Sequence, residues 1–162
     1  MTDPERLGWP AHLVGELDHR RLRTPSVKLR SARTDAGGDC AIYCVDLRVR
    51  RPNADEYLTA TELHSVEHFL LEGFSRLLPE HFVSVGLMGC QTGFYLVFRG
   101  EGHTEVLLPV LERILQEMQQ AEAVPYASIE QCGNWRNHNL ADAQRVAREI
   151  LARRADWLDA AA

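Results

Sequence analysis

His64-Ser65-Val66-Glu67-His68 sets two imidazoles four residues apart, with a carboxylate beside the second. Residues i and i+4 share one helix face, so on a helix both rings can reach a single metal ion. Two ligands make only half a site. Cys132, within Glu130-Gln131-Cys132-Gly133-Asn134, is a third candidate. Three protein ligands leave one position open, which marks a catalytic metal, whereas structural zinc is closed by four. His81, His103 or His138 can provide that closure, and His138, six residues past Cys132, is the strongest competitor. The bland alternative is a pair of solvated histidines on a helix surface.

A second thiol, Cys90, stands in Met88-Gly89-Cys90-Gln91-Thr92-Gly93. Glycine-flanked cysteines lie on tight turns with exposed sulfur and nearby backbone N–H groups. A cation close by then lowers the thiol pKa from about 8.5. The alternative is a buried turn cysteine. A metal, a free thiol and a carboxylate together suggest proton transfer on a small carbonyl compound. His-x-x-Glu-His is also the inverted-zincin pattern of certain metalloproteases, in which the glutamate activates water on zinc. Those enzymes are much larger chains with a carboxylate ligand downstream. Glu149 could serve as that ligand here, but it lies in a helix crowded with arginines.

These residues need a scaffold. Thr59-Ala60-Thr61-Glu62 has capping-box spacing and predicts a helix from about Thr61, with Leu63, Val66, Leu70, Phe74 and Leu77 as its buried stripe and Pro79 as its stop. His64 and His68 fall at the edge of that stripe. Strands are expected over Ser26–Arg33, Cys40–Arg50, Phe82–Met88 and Thr92–Arg99, with a turn over Asp35–Asp39. A second helix spans Thr104–Ala121, with Pro109 near its start. A third opens at the N-cap Asn139 and runs to about Asp156. Strand–turn–strand segments imply antiparallel pairing. The fold class expected is α+β, an antiparallel sheet packed against α-helices. One domain is expected over residues 1–162, with residues 1–15 as an irregular N-terminal arm.

The chain has 162 residues, 45% hydrophobic and 25% charged, and a formal net charge of −5, which argues against general nucleic-acid affinity. Arginines cluster at Arg20, Arg21 and Arg23 and at Arg48, Arg50 and Arg51. Most read as a solvated face, and Arg48 reads as pointing into an anion- or hydroxyl-binding pocket. No apolar run approaches the ~20 residues of a membrane span, and no secretory signal pattern opens the chain. A cytoplasmic location follows, with free thiols as the default. Cys40 and Cys44, on one face of one strand, lie about 13 Å apart at strand rise, too far for a disulfide. They read as core fillers.

Five segments in register resemble the S-ribosylhomocysteine lyase (LuxS) family: Leu17-Asp18-His19; Val45-Asp46-Leu47-Arg48 with Arg51-Pro52-Asn53; His64-Ser65-Val66-Glu67-His68; Met88-Gly89-Cys90-Gln91-Thr92-Gly93-Phe94-Tyr95; and Gln131-Cys132-Gly133. The resemblance covers about residues 15 to 155. It implies one divalent metal per subunit, Fe²⁺ with Zn²⁺ or Co²⁺ as alternatives, held by His64, His68 and Cys132. It implies Cys90 and Glu67 as the acid/base pair, and Arg48 and His19 as contacts to the sugar. It also implies a homodimer with active sites at the interface and a small sugar-thioether substrate.

The sequence departs from the family pattern in places. Ser75 stands where an arginine is usual, with Arg76 one step away; Ser84 replaces an acidic residue; Gly86-Leu87 replaces Ser-Pro; and Val14-Gly15-Glu16 lacks the usual serine. A free amino-acid end needs charged partners. The resemblance makes metal-dependent isomerisation and β-elimination of S-ribosylhomocysteine the first expectation, and the altered positions make the same chemistry on a different sugar or thioether the second. A non-catalytic zinc-binding domain is the third.

Overall fold

The computed structural model describes residues 3–34, 37–38 and 40–162. Its regular elements in chain order are β1 Ser26–Thr34, β2 Ala41–Arg48, α1 Ala60–Leu77, β3 Phe82–Leu87, β4 Gly93–Arg99, α2 Thr104–Gln120 and α3 Leu140–Leu151. The four strands form one antiparallel sheet in the order β1-β2-β4-β3. The helices pack against one another, and α1 packs on the sheet through β3. The α+β class is as the patterning predicts. No helix among the described residues is long and apolar enough to cross a membrane.

Alternation along the strands decides what faces the helices. Tyr43, Val45 and Leu47 of β2 and Phe94, Leu96 and Phe98 of β4 are buried. They join Leu63, Val66, Leu70 and Phe74 of α1 in a single core. Each such side chain, fully buried, contributes about 1.5–3 kcal/mol, so this inner layer is what fixes α1 over the sheet. Cys44, Asp46 and Arg48 point to the opposite face. There Ser26, Lys28, Asp46 and Arg48 are also buried, beneath the arm around Gly15 and Glu16. Lys28 donates to the Gly15 carbonyl, and Arg30 pairs with Glu16 at 2.8 Å.

The capping box forms as the spacing requires. The Glu62 N–H donates to Thr59 Oγ1 at 3.1 Å, and the Thr59 N–H donates to Glu62 Oε2 at 2.7 Å. Glu62 also pairs with Arg145 of α3. Burial alone would raise the Glu62 pKa, but the Thr59 N–H and the Arg145 guanidinium hold it below the ordinary glutamate value. Its stabilising contribution is present above the ordinary glutamate range and is lost as the pH falls below it. Thr59→Ala is expected to cost about 1 kcal/mol in urea unfolding at neutral pH.

Several boundaries differ from the sequence expectation. The second strand ends at Arg48 rather than Arg50, because the Val49 and Arg50 N–H groups both turn onto the Thr92 carbonyl. The third helix ends at Leu151, and one 3-10 turn, Arg154–Asp156, follows. Trp157 is fully buried and donates its indole N–H to Ile150 O at 3.0 Å, which takes the chain off the helix axis. Pro109 sits inside α2 and delays nothing. Short 3-10 turns interrupt the irregular stretch over residues 3–25, and Trp9 is anchored there by donation to Gly102 O at 2.8 Å. Cys40 and Cys44 are free but only half-buried, so they are not core fillers. Burial and the neighbouring Asp46 push the Cys44 thiol pKa up. The turn expected over 35–39 lies largely outside the described residues.

Candidate metal centre and thiol pocket

The donor group is built on α1, where His68 is buried and His64 is partly so. His64 and His68 stand one turn apart with ring centroids 4.7 Å apart and planes perpendicular. The segment between α2 and α3 wraps over them and orients both. His64 Nδ1 lies 3.0 Å from the Asn137 carbonyl, and His68 Nδ1 lies 2.6 Å from the Pro125 carbonyl. A carbonyl only accepts, so in each neutral ring Nδ1 carries the proton and Nε2 carries the free lone pair. The same segment brings Cys132 Sγ to 3.3 Å from His64 Nε2.

His138 completes the cluster. Its Nε2 lies 3.6 Å from Cys132 Sγ, and donor atoms of His64, His68, Cys132 and His138 all lie within 4.8 Å of one another. Burial, with His64 and His68 adding to it, lowers the His138 pKa to about 4, so the ring is neutral at physiological pH. His81 is engaged with the Arg99 carbonyl and His103 with Glu101, so neither joins the group. Glu149 pairs with Arg50 at 2.7 Å and with Arg145 at 2.9 Å, which removes it as a zincin-type ligand.

The residues fit a cation. With Nδ1 of His68 committed to Pro125, its Nε2 lone pair still faces the Glu67 carboxylate at 3.7 Å. One thiol hydrogen cannot satisfy three converging imidazoles and a carboxylate. A divalent ion satisfies the converging donors, and imidazole with thiolate suits a borderline metal. Glu67 is half-buried, and desolvation raises its pKa above the ordinary glutamate value despite His68 and His64.

The second group is built at the end of β2 and the start of β4. Met88 to Gln91 forms a tight turn closed by the Gln91 N–H on the Met88 carbonyl at 2.9 Å, with Gln91 in the left-handed region at φ 61°. This leaves Cys90 exposed. Gly93 is required below the turn, since a Cβ there would meet the Leu47 carbonyl at 2.1 Å. Cys90 opens on a cavity of about 300 Å³ lined by His19, Pro52, Asn53, Tyr57, Cys90 and Thr92. His19 is placed there by Asp18, which caps the short turn through the Arg20 N–H at 3.0 Å.

Arg48 reaches Cys90 largely through Thr92. Its Nη1 donates to Thr92 Oγ1 at 2.7 Å and lies 3.8 Å from Cys90 Sγ. The Thr92 hydroxyl, already accepting from Arg48, is left to donate to Cys90 Sγ at 3.0 Å. Burial pushes the thiol pKa up, but the Thr92 hydroxyl and N–H and the Arg48 charge outweigh it, so Cys90 lies below the ordinary thiol value. Behind Arg48, Asp46 is surrounded by Lys28 at 3.2 Å, Arg48 at 3.8 Å and Arg30 at 3.9 Å. Three cations to one carboxylate leave this wall net positive. Removing the Thr92 donor destabilises the thiolate, so the pKa must rise. Thr92→Val is expected to cut Cys90 alkylation by iodoacetamide at neutral pH about tenfold, since a hydrogen bond to a charged group is worth about 1.5–3 kcal/mol. Thr92→Ser should preserve the rate.

The sequence-derived residues thus fall into two sets. His64, His68 and Cys132 converge with Glu67 beside them, and Arg48, His19 and Cys90 converge at the cavity. Among the described residues, no hydrogen bond or ion pair joins one set to the other. Sequence reasoning assigned no role to Thr92 or Ser65, although both lie inside its motifs. It had no signal for Asn137 and Pro125, which act through backbone carbonyls.

The fold and these two groups define a small α+β protein with a His/Cys group that could hold a metal ion and, apart from it, an exposed thiol of lowered pKa. The chain belongs to the S-ribosylhomocysteinase (LuxS) family, a family of carbon–sulfur lyases, whose profile matches residues 15–161. The S-ribosylhomocysteine lyase of Dichelobacter nodosus is 41% identical over 141 residues, 87% of this chain and 90% of that protein. That of Halobacillus halophilus is 38% identical over 143 residues, 88% of this chain and 92% of its own length. That of Helicobacter pylori strain HPAG1 is 39% identical over 142 residues, 87% of this chain and 89% of its own.

Proposed function

We propose that this chain cleaves S-ribosylhomocysteine to homocysteine and 4,5-dihydroxy-2,3-pentanedione, the autoinducer-2 precursor of quorum sensing. It does so as a cytoplasmic homodimer whose active sites each draw on two subunits. The observation that carries this reading is a donor group flanked by a raised-pKa carboxylate, in a chain that also presents a lowered-pKa thiol. A divalent ion held by His64, His68 and Cys132, Fe²⁺ or alternatively Zn²⁺ or Co²⁺, supplies Lewis acidity to a substrate oxygen and acidifies the adjacent C–H.

The protein's own groups do the rest. His19 and Arg48 hold the ring-opened sugar by its hydroxyls. The Cys90 thiolate takes a proton from one sugar carbon and returns it to the neighbouring one, so the carbonyl moves one carbon along with no net change in atoms. A second such transfer leaves the carbonyl β to the thioether. Glu67 then removes the proton between them. The C–S bond breaks, sulfur leaves with the bonding electrons and takes up a proton, and the enol that remains tautomerises to the dione by losing its hydroxyl proton and gaining one at the terminal carbon. Glu67 needs a pKa nearer neutrality to serve as both acid and base, and its burial provides that.

The two separate sets of residues support the dimer, since one chain leaves Cys90 on a cavity that includes none of the metal donors. Ile42, Val83 and Leu87 also leave apolar strand side chains in solvent.

A different sugar thioether is the second reading, and one observation favours it. Arg76, beside the unusual Ser75, is tied up with Glu72 at 2.7 Å and with Glu117 on the exposed side of α1 and α2. It does not offer itself to an amino-acid end. Metal-loaded protein incubated with S-ribosylhomocysteine is expected to release free thiol and dicarbonyl product in equal amounts. Release only from a thioether lacking the amino-acid end would favour the second reading.

A further inference from the structure

Asp46 takes no part in the chemistry proposed above, yet it lies directly behind Arg48. It is 1% exposed on β2, and Arg48, two residues on, is 4% exposed. We infer that Asp46 is a positioning residue of the thiol pocket: its carboxylate holds the Arg48 guanidinium against Thr92 and so keeps the Thr92 hydroxyl aimed at the Cys90 sulfur. This role for Asp46 rests on those given above to Arg48 and Cys90.

Alternate residues of a strand share a face, so Asp46 and Arg48 point the same way. Lys28 of β1 stands opposite Asp46 on one side and Tyr95 of β4 on the other. Three cations surround the carboxylate: Lys28 at 3.2 Å, Arg48 at 3.8 Å and Arg30 at 3.9 Å. Two of them have other anchors. Lys28 donates to the Gly15 carbonyl. Arg30 pairs with Glu16 at 2.8 Å and lies over the Tyr95 ring, 5.3 Å from its centre. Arg48 has no second carboxylate among the described residues. Its Nη1 donates to the neutral Thr92 hydroxyl at 2.7 Å, and its Nε has no hydrogen-bond partner there. A buried guanidinium needs a counter-charge, and Asp46 is the carboxylate that pairs with it. Cys44, on the same face, adds no charge, because burial and Asp46 push its thiol pKa up.

The guanidinium is thus fixed at two points, Asp46 behind it and Thr92 in front. A guanidinium only donates, so Thr92 Oγ1 accepts from it and turns its one hydrogen to Cys90 Sγ, 3.0 Å away. Without Asp46, Lys28 and Arg30 repel Arg48 from the wall. The Thr92 hydroxyl is then free to rotate, and the Cys90 thiolate loses a directed donor and a nearby charge together. The sign is opposite to that of bulk charge. Deleting a carboxylate from a positive wall would by itself favour the thiolate, whereas loss of the anchor disfavours it.

Carboxamidomethylation of Cys90 by iodoacetamide, followed against pH on metal-loaded protein and assigned by peptide mass, tests this without turnover. Asp46→Leu combined with Lys28→Met removes one charge of each sign, so the wall keeps its net charge. Replacing a buried ion pair by apolar side chains is often neutral or stabilising, and thermal unfolding checks that the paired variant is folded. Its alkylation midpoint is expected about one pH unit above that of wild type. Arg48→Met should move the midpoint as far, and the pair added to Arg48→Met should move it no further. Asp46→Asn alone should move it the same way, by less. A midpoint that stays or falls in the paired variant or in Asp46→Asn would overturn the positioning role, since a charge acting through space gives that result. So would fully additive shifts in the triple variant. A wild-type midpoint in the ordinary thiol range, or one indifferent to Arg48→Met, would overturn the roles proposed for Cys90 and Arg48, and that of Asp46 with them.

Discussion

Mixing Cys90→Ala protein with Glu67→Gln protein, each inactive alone, is expected to restore about a quarter of wild-type thiol release after subunit exchange. The arithmetic follows from two-fold symmetry. Random exchange makes half of the dimers mixed. If each site takes its thiol from one subunit and its carboxylate and donor group from the other, a mixed dimer has one site with both lesions and one with neither. If each site lies within one chain, every site in a mixed dimer carries a lesion and no activity returns. The expectation stands on the separation of the Cys90 cavity, lined by His19, Pro52, Asn53, Tyr57 and Thr92, from the group at His64, His68, Cys132 and His138. No recovery, with exchange verified by differently tagged subunits, would place both halves in a single chain.

Cys90→Ala and Glu67→Gln are each expected to lower thiol release by about 10²- to 10⁴-fold, the usual contribution of a positioned acid or base. Neither should change metal content. Neither Cys90 nor Glu67 is among the converging donors, which are His64, His68, Cys132 and His138. The two should fail at different stages. Without the thiol, carbonyl migration stops, and solvent deuterium is not incorporated into the sugar. Without the carboxylate, deuterium incorporation at the sugar carbons should continue while C–S cleavage is lost. Full turnover by Cys90→Ala with metal retained would remove the thiol from the reaction. Metal loss in Glu67→Gln would make Glu67 a ligand instead.

Local chemistry was well marked in the chain. Thr59 and Glu62 announced the start of α1, because a capping box uses groups three residues apart and needs nothing distant. The stripe from Leu63 to Phe74 fixed which way the helix faces, and with it the edge on which His64 and His68 stand. Trp9 and Trp157 gave no comparable sign. Each is a lone aromatic outside any periodic run, and each is buried through contacts remote in sequence. Asp46 and Lys28 look like ordinary strand-surface residues and are buried on the outer sheet face, because the N-terminal arm crosses it.

Sequence alone therefore marked the candidate groups: two helix-spaced imidazoles with a carboxylate between them, and a glycine-flanked thiol on a turn of its own. Those are properties of spacing within one helix or one turn. Only the tertiary structure decided that His138 closes over the other donors, that Thr92 stands between Arg48 and Cys90, and that the thiol and the donor group occupy separate places on one chain. Each depends on how a long irregular segment or a strand end is folded back by packing elsewhere, and no pattern of neighbouring residues encodes that path.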